Sequence, residues 1–358
     1  FDEMMQNKEL AAKVTLLPID DLGVDAGILF SDILVIPKAL GLELEFTAKG
    51  PKFHNALDEN IMIENLKFHP NKLDYIYNNI KEIKFQRPET PLIGFCGGPL
   101  TTFLFMFRRN ESNKDFNHVI KLLYKEKKKC IKIMEMLTEA SIEYVNKQVD
   151  SGIDCFQLFE TYCGIIPEKM YTEIVLPFSK RILNAAMDKN CKTIFFPKNY
   201  NNGLKNINKD ICDITSIDWQ IPLESARTLL NKNIGIQGNM DPRIFFSDKK
   251  EIEKYLMKLT SFGEKNSNWI FNLLCFSSPS NIYNFGSDNE ISIYELATKI
   301  VSIVKSKSKI IVLGKSNHTL SNPKRNYYVP SLEKVYNELN LNMEYNIDQT
   351  IIRYINTI

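Results

Sequence analysis

A chain of 358 residues with 44% hydrophobic content is long enough to bury one large α/β core or two ordinary domains. A net charge of +2, with Lys and Arg scattered or placed along helix faces, gives no argument for a nucleic-acid partner. No uninterrupted apolar run reaches the ~18 residues a membrane helix needs; the nearest, Phe95 to Phe107, contains Thr, Pro and two Gly.

The opening FDEMMQNKEL has neither the basic start nor the apolar core of a signal peptide. Phe1 in place of Met raises the expectation of a chain that begins partway into its gene product. Residues 8 to 22 read as a helix with Leu10, Val14, Leu17 and Leu22 inward. Gly27-Ile28-Leu29 then leads into Phe30-Ser31-Asp32-Ile33-Leu34-Val35-Ile36, an apolar run broken by one carboxylate and stopped by Pro37. That pattern predicts a strand buried on both faces. A carboxylate there either accepts backbone N–H groups at a strand end or shifts its pKa upward and serves a site. Residues 42 to 70 are mixed, with a turn at Lys49-Gly50-Pro51, and Asn71 to Lys84 predicts a helix with Leu73, Ile76, Ile80 and Ile83 on one face.

Pro91 to Phe95 reads as a second buried strand, ending in Cys96-Gly97-Gly98-Pro99. Helical patterns follow at 116 to 124 and 130 to 149, the second closed by Ser151-Gly152. Five further strand-like runs lie at 154 to 159, 193 to 196, 211 to 217, 234 to 237 and 269 to 272, with helical stretches between most of them. Alternation of this kind implies a parallel sheet with right-handed crossovers. The strands end in Asp32, Gly97-Gly98, Glu160-Thr161, Lys198-Asn199, Asp218-Trp219, Asn239-Asp241 and Asn272. Polar groups repeated at carboxyl ends describe the active-site face of a (β/α)8 TIM-type barrel, whereas a doubly wound sheet gathers them at one switch point. Seven strands can be counted, one short of closure.

FSDILVIPKALG resembles the signature stretch of the uroporphyrinogen decarboxylase family, and PLIGFCGGP, LFETYCG, DITSIDW and IQGNMDP continue that resemblance to about Asn272. The family's first strand, with its R-Q-A-G-R-Y motif and two substrate-binding Arg, would lie upstream of Phe1. The resemblance therefore implies an incomplete barrel over residues 1–273 with its first strand missing. Where the family continues N-L-G-H-G, this chain reads Asn272-Leu273-Leu274-Cys275-Phe276, so a substrate-binding His is absent. Residues 280–358 resemble instead the C-terminal end of NAD-dependent sugar-nucleotide epimerases and dehydratases, departing from them at Ser331 and Asn340. The expectation is a small C-terminal α/β lobe joined to the barrel near residue 274.

What the resemblance implies is conversion of uroporphyrinogen III to coproporphyrinogen III by loss of four acetate carboxyls, in the cytoplasm, by a homodimer. The ring itself takes a proton and accepts the electrons released with carbon dioxide, so neither metal nor organic cofactor is called for. Asp32 is then the catalytic and substrate-binding carboxylate, gathering pyrrole N–H groups beside a cationic intermediate. Tyr124, in KLLYKEKKK, and Thr161, in LFETYCG, are the implied substrate-binding hydroxyls; read from residues alone, Tyr124 is an amphipathic surface Tyr and Thr161 a helix N-cap. Arg108 and Arg109 read as a solvated pair, the four His have no ligand spacing, and the seven Cys form no C-x-x-C pair, as expected of reduced core thiols.

Two alternatives stand beside this: a barrel methyltransferase of the same superfamily, and a non-catalytic chimeric fragment. A sugar-nucleotide enzyme would need a G-x-x-G-x-x-G turn that the chain lacks, although Tyr124 and Lys128 have the Y-x-x-x-K spacing of that family. With two Arg and one His missing, the chain is expected to have little or no decarboxylase activity.

Overall fold

The computed structural model describes residues 1–47, 50–58, 60, 63–108 and 116–272, with 298, 299, 302, 303 and 349. Contacts divide the chain into two units, Phe1–Phe276 and Ser277–Ile358. Every element below belongs to the first. The junction near residue 274, the family His position and nearly all of the expected C-terminal lobe lie outside the described residues.

The first unit opens with α1 (Asp2–Gln6) and α2 (Lys8–Leu22), followed by β1 (Gly27–Ile28) and α3 (Val35–Ala39). An antiparallel pair, β2 (Leu44–Thr47) and β3 (Gly50–Phe53), stands outside the main sheet, and α4 (Asp74–Gln86) leads to β4 (Leu92–Gly97). Then come α5 (Pro99–Met106), α6 (Asn117–Lys125), α7 (Lys127–Ser151) and β5 (Cys155–Glu160). A continuous helical stretch follows, made of α8 (Glu168–Met170), a π turn (Tyr171–Val175) and α9 (Leu176–Met187). The described part of the first unit closes with β6 (Lys192–Pro197), β7 (Ile214–Ser216), α10 (Leu223–Leu229), β8 (Gly235–Gln237), α11 (Lys249–Lys265) and β9 (Trp269–Ile270).

Seven strands pair in parallel in the order β1-β4-β5-β6-β7-β8-β9. Each crossover advances one place with no reversal, which is barrel winding and not doubly wound topology. The sheet is also curled. Gln157 Nε2 on β5 donates to Gln237 Oε1 on β8 at 3.1 Å, although three strand spacings in a flat sheet amount to about 14 Å. Only bending toward a common axis brings the two side chains together, so the architecture is an incomplete (β/α)8 barrel. Alternation with the register Gly97↔Phe159, Phe159↔Phe196 and Ser216↔Gln237 places Gln157 on the same face as Phe95, Phe159, Phe196 and Ser216.

Two sequence expectations are corrected. The run 30–36 is not a strand: β1 ends at Ile28, and Val35–Ala39 is helical. The Asp32 carboxylate turns the chain by accepting Leu34 N–H at 2.7 Å. Pro37, lacking an N–H, is tolerated in a first helical turn and not in a central strand. A continuous apolar run fits a buried helix as well as a buried strand. In α2, Leu10, Leu17 and Leu22 are exposed by 41%, 48% and 77%, and Val14 is only partly covered. The inward face is Ala11, Ala12, Thr15 and Leu16. Small residues bring the helix close to β1, where Thr15 Oγ1 donates to Ala11 O at 2.8 Å and accepts Phe30 N–H at 3.0 Å. A bulky stripe was the wrong guide because close approach selects small side chains. The α4 face, by contrast, is as read, with Leu73, Ile76, Ile80 and Ile83 all buried.

Candidate active site at the carboxyl ends of the strands

Asp32 lies on the loop that leaves the carboxyl end of β1. The loop packs on β4 so tightly that a Cβ at Gly97 would stand 2.7 Å from Ile33 O. Burial pushes the Asp32 carboxyl up to about 6; the Leu34 N–H opposes this, Asp2 adds to it and Lys38 opposes it. Lys38 is itself engaged by Asp2 at 3.1 Å, which weakens its hold on Asp32. Among the described residues no donor meets Asp32 Oδ2, so one oxygen is left to accept from a ligand.

Thr161 follows β5 directly, and its Oγ1 is buried with no hydrogen-bond partner among the described residues. Its neighbour Glu160 was read only as a strand-end polar residue and proves to be the most deeply held carboxyl of this face. Glu160 Oε1 accepts Thr101 N–H at 2.7 Å and Thr101 Oγ1–H at 2.6 Å, while Oε2 accepts Leu100 N–H at 3.3 Å. The carboxyl therefore caps the first turn of α5, where orphan N–H groups and the helix dipole favour an anion. Thr101 Oγ1 in turn accepts Tyr162 N–H at 3.1 Å, so the segment carrying Thr161 is fastened to α5 on both sides. Gly98 makes room for this: a Cβ there would fall 2.5 Å from the Glu160 carboxyl. Burial pushes Glu160 up to about 7 against the donors from Thr101, Leu100 and Ser179. A carboxylate ending an otherwise apolar strand was the available signal in the sequence. Its partners, about sixty residues upstream, were not visible.

Tyr124 sits on α6 and is 61% exposed. No hydrogen bond among the described residues joins any two of Asp32, Tyr124 and Thr161.

A cleft lined by Phe196, Lys198, Asp218, Trp219, Asn239 and Met240 opens at the carboxyl ends of β6, β7 and β8, with about 30 Å³ of free space. Its polar atoms are mostly committed. Asp218 accepts Asn199 N–H and Gln220 N–H, each at 2.8 Å, and Asn239 Nδ2 donates to Asp218 O at 2.9 Å. Arg243 stacks on Trp219 at 3.9 Å and forks onto Asp241. Among the described residues no group of three His, Cys, Asp or Glu could hold a metal ion, and no helix is long and apolar enough to cross a membrane. The described cysteines are all free thiols, most of them buried.

Residues 1–281 match the model of the uroporphyrinogen decarboxylase (URO-D) family. The chain is 33% identical over 277 residues to the uroporphyrinogen decarboxylase of Geobacter metallireducens, covering 76% of this chain and 81% of that protein. The uroporphyrinogen decarboxylase of Geobacter sulfurreducens matches equally, at 33% identity over 277 residues with the same coverage, 76% and 81%. Among solved structures, a methyltransferase from Methanosarcina mazei superposes with a TM-score of 0.65 at 18% identity over 78% of this chain and 82% of that one, a likeness of fold.

Proposed function

The chain belongs to the uroporphyrinogen decarboxylase family, and we propose that it performs that family's reaction, removing the four acetate carboxyls of uroporphyrinogen III to leave coproporphyrinogen III. The observation that carries this reading is Asp32: a desolvated carboxyl on the loop beyond β1, with one oxygen held by Leu34 N–H and the other free of donors among the described residues. A carboxylate so fixed suits a ring that becomes cationic when its arm-bearing carbon is protonated. A preorganised charge costs no reorganisation as the cation forms. Pyrrole N–H groups would take the free Oδ2. The buried Thr161 hydroxyl would donate to a substrate carboxylate, and Tyr124 would close on the arms from α6. The homodimer and the cytoplasmic setting of the family belong to the same proposal, as does a tail derived from a sugar-nucleotide enzyme.

The rival, a barrel methyltransferase, is supported by the fold alone, and the described residues offer no metal-ligand cluster for one. Because Cys275 stands where the family places its last-strand His, turnover is expected to be slow. The test is conversion of chemically reduced uroporphyrinogen III, with products oxidised and separated as porphyrins. Slow coproporphyrinogen formation that falls on the order of 10²- to 10³-fold in Asp32→Ala supports the reading. Product formation indifferent to Asp32→Ala refutes it.

A further inference from the structure

We propose that Lys198 is the cation of a carboxylate-binding subsite in the cleft between the ends of β6, β7 and β8, where it receives an acidic side arm of the substrate. Backbone hydrogen bonds fix where Lys198 stands. Lys198 N–H donates to Glu160 O at 3.2 Å, and Lys198 O accepts Gly164 N–H at 3.1 Å. These bonds extend the β5–β6 ladder past Glu160↔Pro197 and set Lys198 beside Thr161. Register thus places two donor-bearing residues at neighbouring backbone positions at the barrel mouth. Among the described residues, the buried Thr161 hydroxyl has no acceptor, and the ammonium of Lys198, a partly buried residue, pairs with no carboxylate.

The nearby charges explain why the ammonium is open. Arg243, the other cation of this rim, is taken by Asp241, and both oxygens of Asp218 are occupied by backbone N–H groups. Lys198 lines the cleft with Phe196, Trp219 and Met240, which shed water and strengthen an ion pair formed there. An ammonium uncommitted among the described residues, at a partly apolar cleft and on a backbone position neighbouring Thr161, is complementary to a carboxylate. Lys suits this place as a flexible point charge able to follow an arm.

The subsite takes the identity of its arm from the tetrapyrrole reading, but its charge stands independently, and two probes separate them. Uroporphyrin I, which carries eight carboxylates, is titrated against the full chain by quenching of Trp fluorescence, Trp219 being in the cleft itself. Benzenehexacarboxylate is titrated in parallel by calorimetry. Loss of one charge-assisted bond at a half-exposed site weakens uroporphyrin binding about tenfold in Lys198→Met at low salt, and the gap narrows as salt is raised. Lys198→Arg stays within about threefold of the wild type. Lys198→Gln repeats the test with a polar side chain should the Met variant melt early. Uroporphyrin bound equally by wild type, Met and Gln variants overturns the subsite while leaving the tetrapyrrole reading intact. Lys198-dependent binding of benzenehexacarboxylate without any uroporphyrin binding keeps the subsite and overturns the tetrapyrrole reading. Failure of the wild type to bind either probe overturns both.

Discussion

Replacing Glu160 by Gln should invert the stability order of the wild type and the variant between mildly acidic and mildly alkaline solution. The Glu160 carboxyl has its pKa raised from 4.5 to about 7, so the folded state favours the protonated form. For a group raised in the folded state, the stabilisation is complete below the unfolded pKa and is lost as pH climbs through the folded one. Here the loss runs from about pH 4.5 to pH 7. A shift of this size corresponds to about 3 kcal/mol in full, of which roughly 2 to 3 kcal/mol falls between pH 5 and pH 8. Gln cannot ionise and escapes that loss. It has its own defect, since Oε1 can still accept from Thr101 while Nε2 would face the Leu100 N–H, leaving a buried donor against a donor. That mismatch costs about 1 to 2 kcal/mol at every pH. The variant should therefore be slightly less stable than the wild type near pH 5 and more stable by roughly 1 to 2 kcal/mol near pH 8. Urea titrations followed by far-ultraviolet circular dichroism at both pH values give the two midpoints. Taking the difference between the proteins cancels the titration of Asp32 and of the surface groups. Parallel pH profiles for the two proteins would refute the account of Glu160 as a carboxyl held against its desolvation. Glu160→Ala provides the scale, because it strands the Leu100 and Thr101 N–H groups and should cost about 3 to 6 kcal/mol at acid pH.

In the proposed role Asp32 acts through its charge, and burial raises its carboxyl to about 6, so the acid limb of any decarboxylase activity should fall with a midpoint around pH 6 and not near pH 4, and Asp32→Ala should lose far more rate than Tyr124→Phe. A pH–rate profile of coproporphyrinogen formation with its acid limb at pH 4, or equal losses in the two variants, would contradict this. Thr161→Val removes a buried hydroxyl that has no partner among the described residues, so thermal melting should move little or rise slightly. Uroporphyrin binding should weaken about fivefold or more, and a large drop in melting temperature with unchanged binding would assign Thr161 to the fold and not to the ligand.

Much of the barrel was legible because strands buried on both faces advertise themselves as short apolar runs. The segments read at 91–95, 154–159, 193–196 and 234–237 coincide closely with β4, β5, β6 and β8. Polar residues at the carboxyl ends of these strands, including Thr161 and Lys198, could also be read in advance, whereas Asp32 lies on the loop beyond β1. Local pattern failed where two structures share one pattern, as in the run 30–36, whose apolar residues suit a buried helix equally well. It failed again where size mattered more than hydrophobicity, as in α2, where Ala11, Ala12 and Thr15 turn inward and Leu10, Leu17 and Leu22 do not.

The sequence by itself determined the parallel α/β character of the chain, its family and the residue types at the mouth, since each is written in neighbours a few positions apart. Only the tertiary structure decided the curl that joins Gln157 to Gln237, the clasp of Glu160 on α5 and the Lys198 ammonium left without a carboxylate among the described residues. Those depend on groups up to eighty residues away, and whether a donor finds an acceptor, or a carboxyl keeps its water, is settled by packing across that distance.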